Sequence, residues 1–206
     1  MIVVVSAHDK KYEPLAEWTL YKNKLQYCLK HGYKLHYSND CGAKACGKPV
    51  IAKLPPIPDT HVPAGWGKIF VMIEAMEKYP EAEWIFNTDC DVMITNTIIA
   101  GMPLYRHWYM FENQLIQDLF IGTHLEETGV VQSGTFWNRV GKILPQRVMN
   151  SYDYKNLPRL KERTNFKDIL GTDGQWQEGD FLIQWPSTDL EFRIKAAKEM
   201  FPKVIK

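Results

Sequence analysis

The stretch Trp84–Asn96, WIFNTDCDVMITN, is an apolar run that stops abruptly at two aspartates separated by one residue. A buried strand ending in Asp-x-Asp delivers two carboxylates to the edge of a sheet, which is where α/β proteins bind their ligands. Two close carboxylates suit a hard divalent cation, Mg²⁺ or Mn²⁺, shared with substrate phosphates. The plainer alternative is a pair of turn or helix-cap aspartates.

Upstream of this stretch the chain alternates strand and helix patterns. Ile2–Ser6, IVVVS, is a continuous β-branched run, as expected of a strand buried on both faces. Leu15, Trp18, Leu25, Cys28 and Leu29 then recur at helical spacing, and Gly32 supplies a stop. Tyr33–Tyr37 alternates as a second strand. Prolines 49, 55, 56, 58 and 63 make residues 38–63 a loop. A helix is expected over Trp66–Tyr79, with Ile69, Met72, Ile73 and Met76 on one face and Pro80 at its end. Trp84–Asn87 is the third strand. The order β-α-β-loop-α-β calls for a parallel sheet flanked by helices.

Downstream the pattern is less regular. Short strand-like pieces at Trp108–Phe111 and Leu119–Gly122 precede VVQSGTFWNRV (Val130–Val140), and Tyr152–Lys167 is a charged stretch. Phe181–Trp185 is the last expected strand. Thr188 and Glu191 read as a capping box for a terminal helix that runs to about Met200.

The 206 residues suffice for one large domain with a proper core. A net charge of +1 argues against a nucleic-acid binder, which would show a basic patch or stripe. Aromatic residues, at 13% with seven Trp, serve carbohydrate and nucleotide sites and ordinary cores alike. No run of 18 apolar residues marks a membrane span, and Met1–Val5 is too short for a signal peptide. The expectation is a soluble, cytoplasmic chain, although a longer parent protein could carry an anchor. Cys41 and Cys46 lack the second pair or His cluster that would complete a zinc site. Free thiols in a reducing compartment are expected, with a Cys41–Cys46 disulfide as the alternative.

Two enzyme classes place Asp-x-Asp after a strand. In phosphatases of the haloacid-dehalogenase type the first Asp is a nucleophile, but there the motif follows the first strand and continues with Thr or Val where this chain has Met93. In nucleotide-sugar glycosyltransferases the pair holds a cation on the donor diphosphate, so that charge is stabilised where it develops. The position after the third strand fits the second class better. A catalytically silent sugar-binding domain is the remaining alternative.

Four blocks then occur in order: Lys22–Asn39 (KNKLQYCLKHGYKLHYSN), Ala64–Asn96, Val131–Val140 (VQSGTFWNRV) and Glu178–Ser187 (EGDFLIQWPS). Together with the ending Arg193–Phe201 they resemble the glycosyltransferase family of fungal galactosyl- and mannosyltransferases and plant xyloglucan xylosyltransferases. The resemblance implies a single GT-A-like α/β domain, a mostly parallel mixed sheet flanked by helices, with residues 1–96 as the nucleotide-binding half and 97–206 as the acceptor-side half. It implies a nucleotide-sugar donor, most simply a UDP-sugar, a glycan hydroxyl acceptor and a Mn²⁺ or Mg²⁺ cofactor.

By position, the resemblance assigns Asp89 and Asp91 to the metal and diphosphate and puts Thr88 and Cys90 beside the donor. Lys68 of the GWGK segment falls near the donor, at a helix start where a cation and the helix dipole both favour phosphate. Trp66 joins the donor set or merely packs its helix. Ser6, Ala7 and His8, at the end of the first strand, fall where this fold holds the base. Gln132 aligns with an Asn that could hydrogen-bond the transferred sugar. Two departures stand out: Gln184 occupies the place of a metal-binding His, and an acidic D-D-Q segment has no equivalent between Gly141 and Gly171. A Gln carbonyl oxygen is an acceptable ligand for a hard cation. On a strand, residues 180, 182 and 184 share one face, so Asp180 could point the same way as Gln184 and is the candidate general base.

Overall fold

Strand β1, Ile2–Ala7, buries Val3, Val4 and Val5 completely, as its β-branched run requires. It lies between β2 (Lys34–Ser38) and β3 (Trp84–Asp89), parallel to both, in the order β2-β1-β3. The register sets Ala7 opposite Ser38 on one side and Asp89 on the other. The carboxyl ends of all three strands therefore meet at one edge. The computed structural model describes residues 1–41, 64–100, 147, 151–156, 173–186 and 188–206, and of residues 64–66 the backbone only. All of these belong to one compact unit.

The connection from β1 to β2 is helical from Glu13 to His31, but it is not a uniform α-helix. An α-helical turn, α1 (Glu13–Ala16), widens into a π-helical stretch, Glu17–Lys24, and returns to α-helix in α2 (Leu25–His31). The expected Gly32 stop is present: Gly32 adopts φ 68°, the left-handed region that glycine enters without strain, and its N–H bonds the Cys28 carbonyl. The widened turn corrects the expected apolar face. Cys28 is buried, but Leu29 is 68% exposed and the inward positions include Thr19, Asn23 and Lys24.

Helix α3, Ala64–Lys78, packs against β1, β2 and β3. Ile69 and Met72 are buried as expected, with Ile73 and Met76 half-buried, and Phe70, Val71 and Ala75 also turn inward. Gly67 permits close approach near its start, because a Cβ there would collide with the Cys41 backbone carbonyl.

Immediately after β3 the chain turns through Cys90 and Asp91 and enters a second sheet. Its strands are β4 (Val92–Ile94), β5 (Ser151–Tyr152) and β6 (Leu182–Gln184), in the order β4-β6-β5, with β4 antiparallel and β5 parallel to β6. Strand alternation divides the core. Val92, Ile94 and Leu182 pack with Val4, Phe86 and Tyr27, while Met93 and Ile183 pack with Leu15, Trp185 and Met200.

Helix α4, Leu190–Met200, closes the fold beside α1 and the π-helical stretch. Its N-cap is Asp189, whose carboxylate accepts the Phe192 N–H at 2.7 Å, and not Thr188 as the capping-box reading expected. Thr188 instead donates to the Trp185 carbonyl at 3.0 Å and accepts from Arg193 Nε at 3.1 Å. Among the described residues no helix is long and apolar enough to cross a membrane. Cys28 and Cys90 carry free thiols; Cys46, like the expected pieces at 108–122 and 130–140, lies outside the described residues.

Candidate active site

The two aspartates stand where one sheet ends and the other begins. Asp89 is the last residue of β3, and Asp91 directly precedes β4. Across this seam β6 brings Gln184 opposite Val92. The Gln184 amide Nε2 donates to Asp91 Oδ1 at 3.1 Å and lies 3.5 Å from Asp89 Oδ2, so it bridges the two carboxylates.

The outer oxygens have cations. Lys68 Nζ, from the first turns of α3, is 2.7 Å from Asp89 Oδ1. Arg193 Nη1, from the first turn of α4, is 3.4 Å from Asp91 Oδ2. Asp91 is buried, and loss of hydration raises its carboxyl above the usual range; the neighbouring Asp89 charge adds to this, and Arg193 and the Gln184 amide oppose it. Burial also pushes the Cys90 thiol up to about 11 and the Cys41 thiol up to about 12, so neither is a ready thiolate nucleophile.

These groups border a cleft of about 140 Å³, lined among the described residues by Ala7, His8, Asp9, Tyr12, Cys41, Lys68, Asp89, Cys90, Asp91 and Arg193. His8 has a buried ring. Its Nε2 is 2.9 Å from Glu13 Oε2, and its Nδ1 has no hydrogen-bond partner among the described residues. Glu13 in turn accepts from the Tyr21 hydroxyl at 2.7 Å. That bond and the one to His8 lower the Glu13 carboxyl below its ordinary value. A larger cleft, about 390 Å³, runs along Phe192, Lys195, Ala196 and Glu199 of α4 and includes none of the residues expected from the sequence.

Of the residues expected at the site, Ala7, His8, Lys68, Asp89, Cys90 and Asp91 converge on the smaller cleft, and Gln184 joins them through the carboxylates. Ser6 and Thr88 are buried one step below it, with Thr88 Oγ1 3.4 Å from the Val5 carbonyl. The backbone of Trp66 lies in α3, its side chain outside the described set; Gln132 lies outside it altogether. Asp180 departs from its expected place. It precedes β6, and its carboxylate is held by Arg147, with Nε at 3.1 Å and Nη2 at 2.8 Å, and by the Gln177 N–H at 2.8 Å. It does not line the cleft.

The oxygen donors of Asp89, Asp91 and Gln184 fit a hard divalent cation. The Gln184 amide nitrogen marks the point between both carboxylates, and turning the amide would present Oε1 there instead. Among the described residues no group of three His, Cys, Asp or Glu side chains could hold a metal.

Sequence reading did not find Arg193 or the groups beneath the turn. Thr19 Oγ1 donates to the Cys90 carbonyl at 2.6 Å, and Lys24 Nζ donates to the Asp89 carbonyl at 2.6 Å. Asn23 pairs both backbone groups of Ile94, each at 2.8 Å. The available signal was the polar run Lys22-Asn23-Lys24 interrupting an apolar helical pattern.

Residues 1–100 match the model of the galactosyl transferase GMA12/MNN10 family. A probable alpha-1,2-galactosyltransferase (gmh2) of Schizosaccharomyces pombe is 36% identical over 79 residues, 38% of this chain and 18% of the relative. Galactomannan galactosyltransferase 1 of Cyamopsis tetragonoloba is 24% identical over 209 residues, 88% of this chain and 43% of the relative. The chain thus spans less than half the length of these curated relatives. The crystal structure of a glycosyltransferase involved in the glycosylation of the major capsid of PBCV-1 superposes with a TM-score of 0.50 at 13% identity, covering 96% of this chain and 98% of that one. The fold is therefore GT-A-like, a mixed sheet flanked by helices, and residues 1–100 are similar to the galactosyl transferase GMA12/MNN10 family.

Proposed function

We propose that this chain is a metal-dependent glycosyltransferase that moves a sugar from a nucleoside diphosphate, UDP first among candidates, to a glycan hydroxyl. The observation that carries the reading is the convergence of Asp89, Asp91 and Gln184 on one point, flanked by Lys68 and Arg193. Two carboxylates alone would repel a diphosphate. Two carboxylates with a bound divalent cation and two adjacent basic side chains would attract one.

Each residue has a part in this arrangement. Asp89 and Asp91 would hold Mn²⁺ or Mg²⁺, with the Gln184 amide turned to offer its oxygen. When bound, the cation supplies positive charge to the diphosphate as the glycosidic bond breaks. Lys68 and Arg193, freed from the carboxylates, supply hydrogen-bond donors to phosphate oxygens. Ala7 and His8 border the same cleft from the end of β1, where the buried His8 Nδ1 is suited to the edge of the base. Galactose is the first sugar to test, because the relatives' names specify galactosyl transfer.

Calorimetric titration with UDP, in Mn²⁺ and in EDTA, tests the proposal. Wild type is expected to bind in Mn²⁺ and to weaken on chelation. Asp91→Asn should lose the metal-dependent part while keeping its far-UV spectrum. Equal UDP affinity in Asp91→Asn and wild type would sink the reading.

A further inference from the structure

A fully buried lysine lies under the Asp89–Asp91 turn, in the unusual π-helical stretch Glu17–Lys24. A π-helix holds about 4.4 residues per turn, so residues i, i+4 and i+5 share one side. That geometry turns Thr19, Asn23 and Lys24 together toward the seam between the two sheets. Thr19 takes the Cys90 carbonyl, Lys24 the Asp89 carbonyl and Asn23 both backbone groups of Ile94.

Thr19 and Asn23 hold the turn with neutral hydrogen bonds. Lys24 brings more than that, since its other acceptor is the Ser6 hydroxyl at 3.5 Å and no carboxylate of the described residues forms an ion pair with its ammonium. A buried cation held by a carbonyl and a hydroxyl is costly to desolvate, and a neutral donor would serve the carbonyl equally well. Burial lowers the pKa of the Lys24 ammonium, and the neighbouring Cys90, Asp89 and Asp91 oppose that shift and favour its charged form.

Resting on the glycosyltransferase reading above, we propose that Lys24 is a fixed cation built beneath the donor site, weakening its hold on a free divalent cation and strengthening its hold on the diphosphate. A positive charge at this place repels Mn²⁺ and attracts phosphate across a low-dielectric floor, where interactions between charges are strong. It keeps the empty carboxylate pair from being a sink for metal alone. Cation and nucleotide are then favoured together.

The test measures two affinities separately: Mn²⁺ without nucleotide and UDP without metal. In Lys24→Met and Lys24→Gln, Mn²⁺ should bind more tightly and UDP more weakly, each by a factor on the order of ten. The Gln variant keeps a donor for the Asp89 carbonyl, so it remains informative if the Met variant misfolds. Asn23→Ala, which loosens the turn without touching charge, should weaken both affinities. Parallel weakening in the Lys24 variants, or no change in either affinity, would overturn the proposal and make Lys24 a scaffold residue. Failure of both variants to fold would do the same. Absence of any binding in wild type would overturn the glycosyltransferase reading itself, and this one with it.

Discussion

Under the proposed function, Gln184 would set how strongly the carboxylate pair holds a metal. Its amide nitrogen lies between the two carboxylates, and the oxygen would have to turn in before it could ligate. An imidazole at this place would offer a nitrogen ligand outright, as borderline metals prefer. Gln184→His should therefore tighten Mn²⁺ severalfold in a direct titration; an unmoved affinity would remove residue 184 from the ligand set. Asp91 shows the opposing cost. Its folded carboxyl is raised above the unfolded value, so the penalty is absent below the unfolded value and grows as pH rises through the folded one. At neutral pH Asp91→Asn should raise stability by about 1 kcal/mol in urea denaturation, the usual trade of function against stability at a site. A destabilised variant would show that the Arg193 contact outweighs the burial.

At the scale of elements, periodicity made the β-α-β-loop-α-β order legible, because β1, β2, β3 and α3 each obey a simple repeat. The first helix was legible in its ends and not in its middle. Alpha-helical spacing assigned Leu29 to the core, yet the π-helical insertion leaves it exposed and buries Asn23 and Lys24. No local propensity announces such a widening, which follows from hydrogen bonds to Asp89, Cys90 and Ile94, far along the chain. The same limit hid Arg193 and the pairing of Asp180 with Arg147, both fixed by tertiary placement. Asn23→Leu tests the insertion's structural weight. It would leave the Ile94 N–H and carbonyl unpaired in a buried seam, at a cost of about 2 kcal/mol in urea denaturation. Asp189→Ala, which removes only the cap of α4, should cost about 1 kcal/mol.

Across the described unit, the candidate site coincides with the seam between its two sheets. Asp89 belongs to the first sheet by hydrogen bonding, Val92 and Gln184 to the second, and Lys68 and Arg193 arrive from helices on either side in sequence. The core also crosses the seam, since Val4 and Phe86 pack in one cluster with Val92, Ile94 and Leu182. A ligand engaging Asp89, Asp91, Lys68 and Arg193 would therefore tie both sheets and both helices, and its binding energy should appear in the stability of the whole unit. With UDP and Mn²⁺ at about a hundred times the dissociation constant, the gain is about 2.7 kcal/mol. For a unit of this size that corresponds to a rise in Tm of roughly 5–10 °C. Scanning calorimetry should show the main transition moving as one peak. Asp91→Asn should show no such shift at the same ligand concentrations, despite its higher starting stability. A transition that splits, with only part of the heat responding to ligand, would mean that the two sheets unfold separately and that the seam is not bridged by the bound donor.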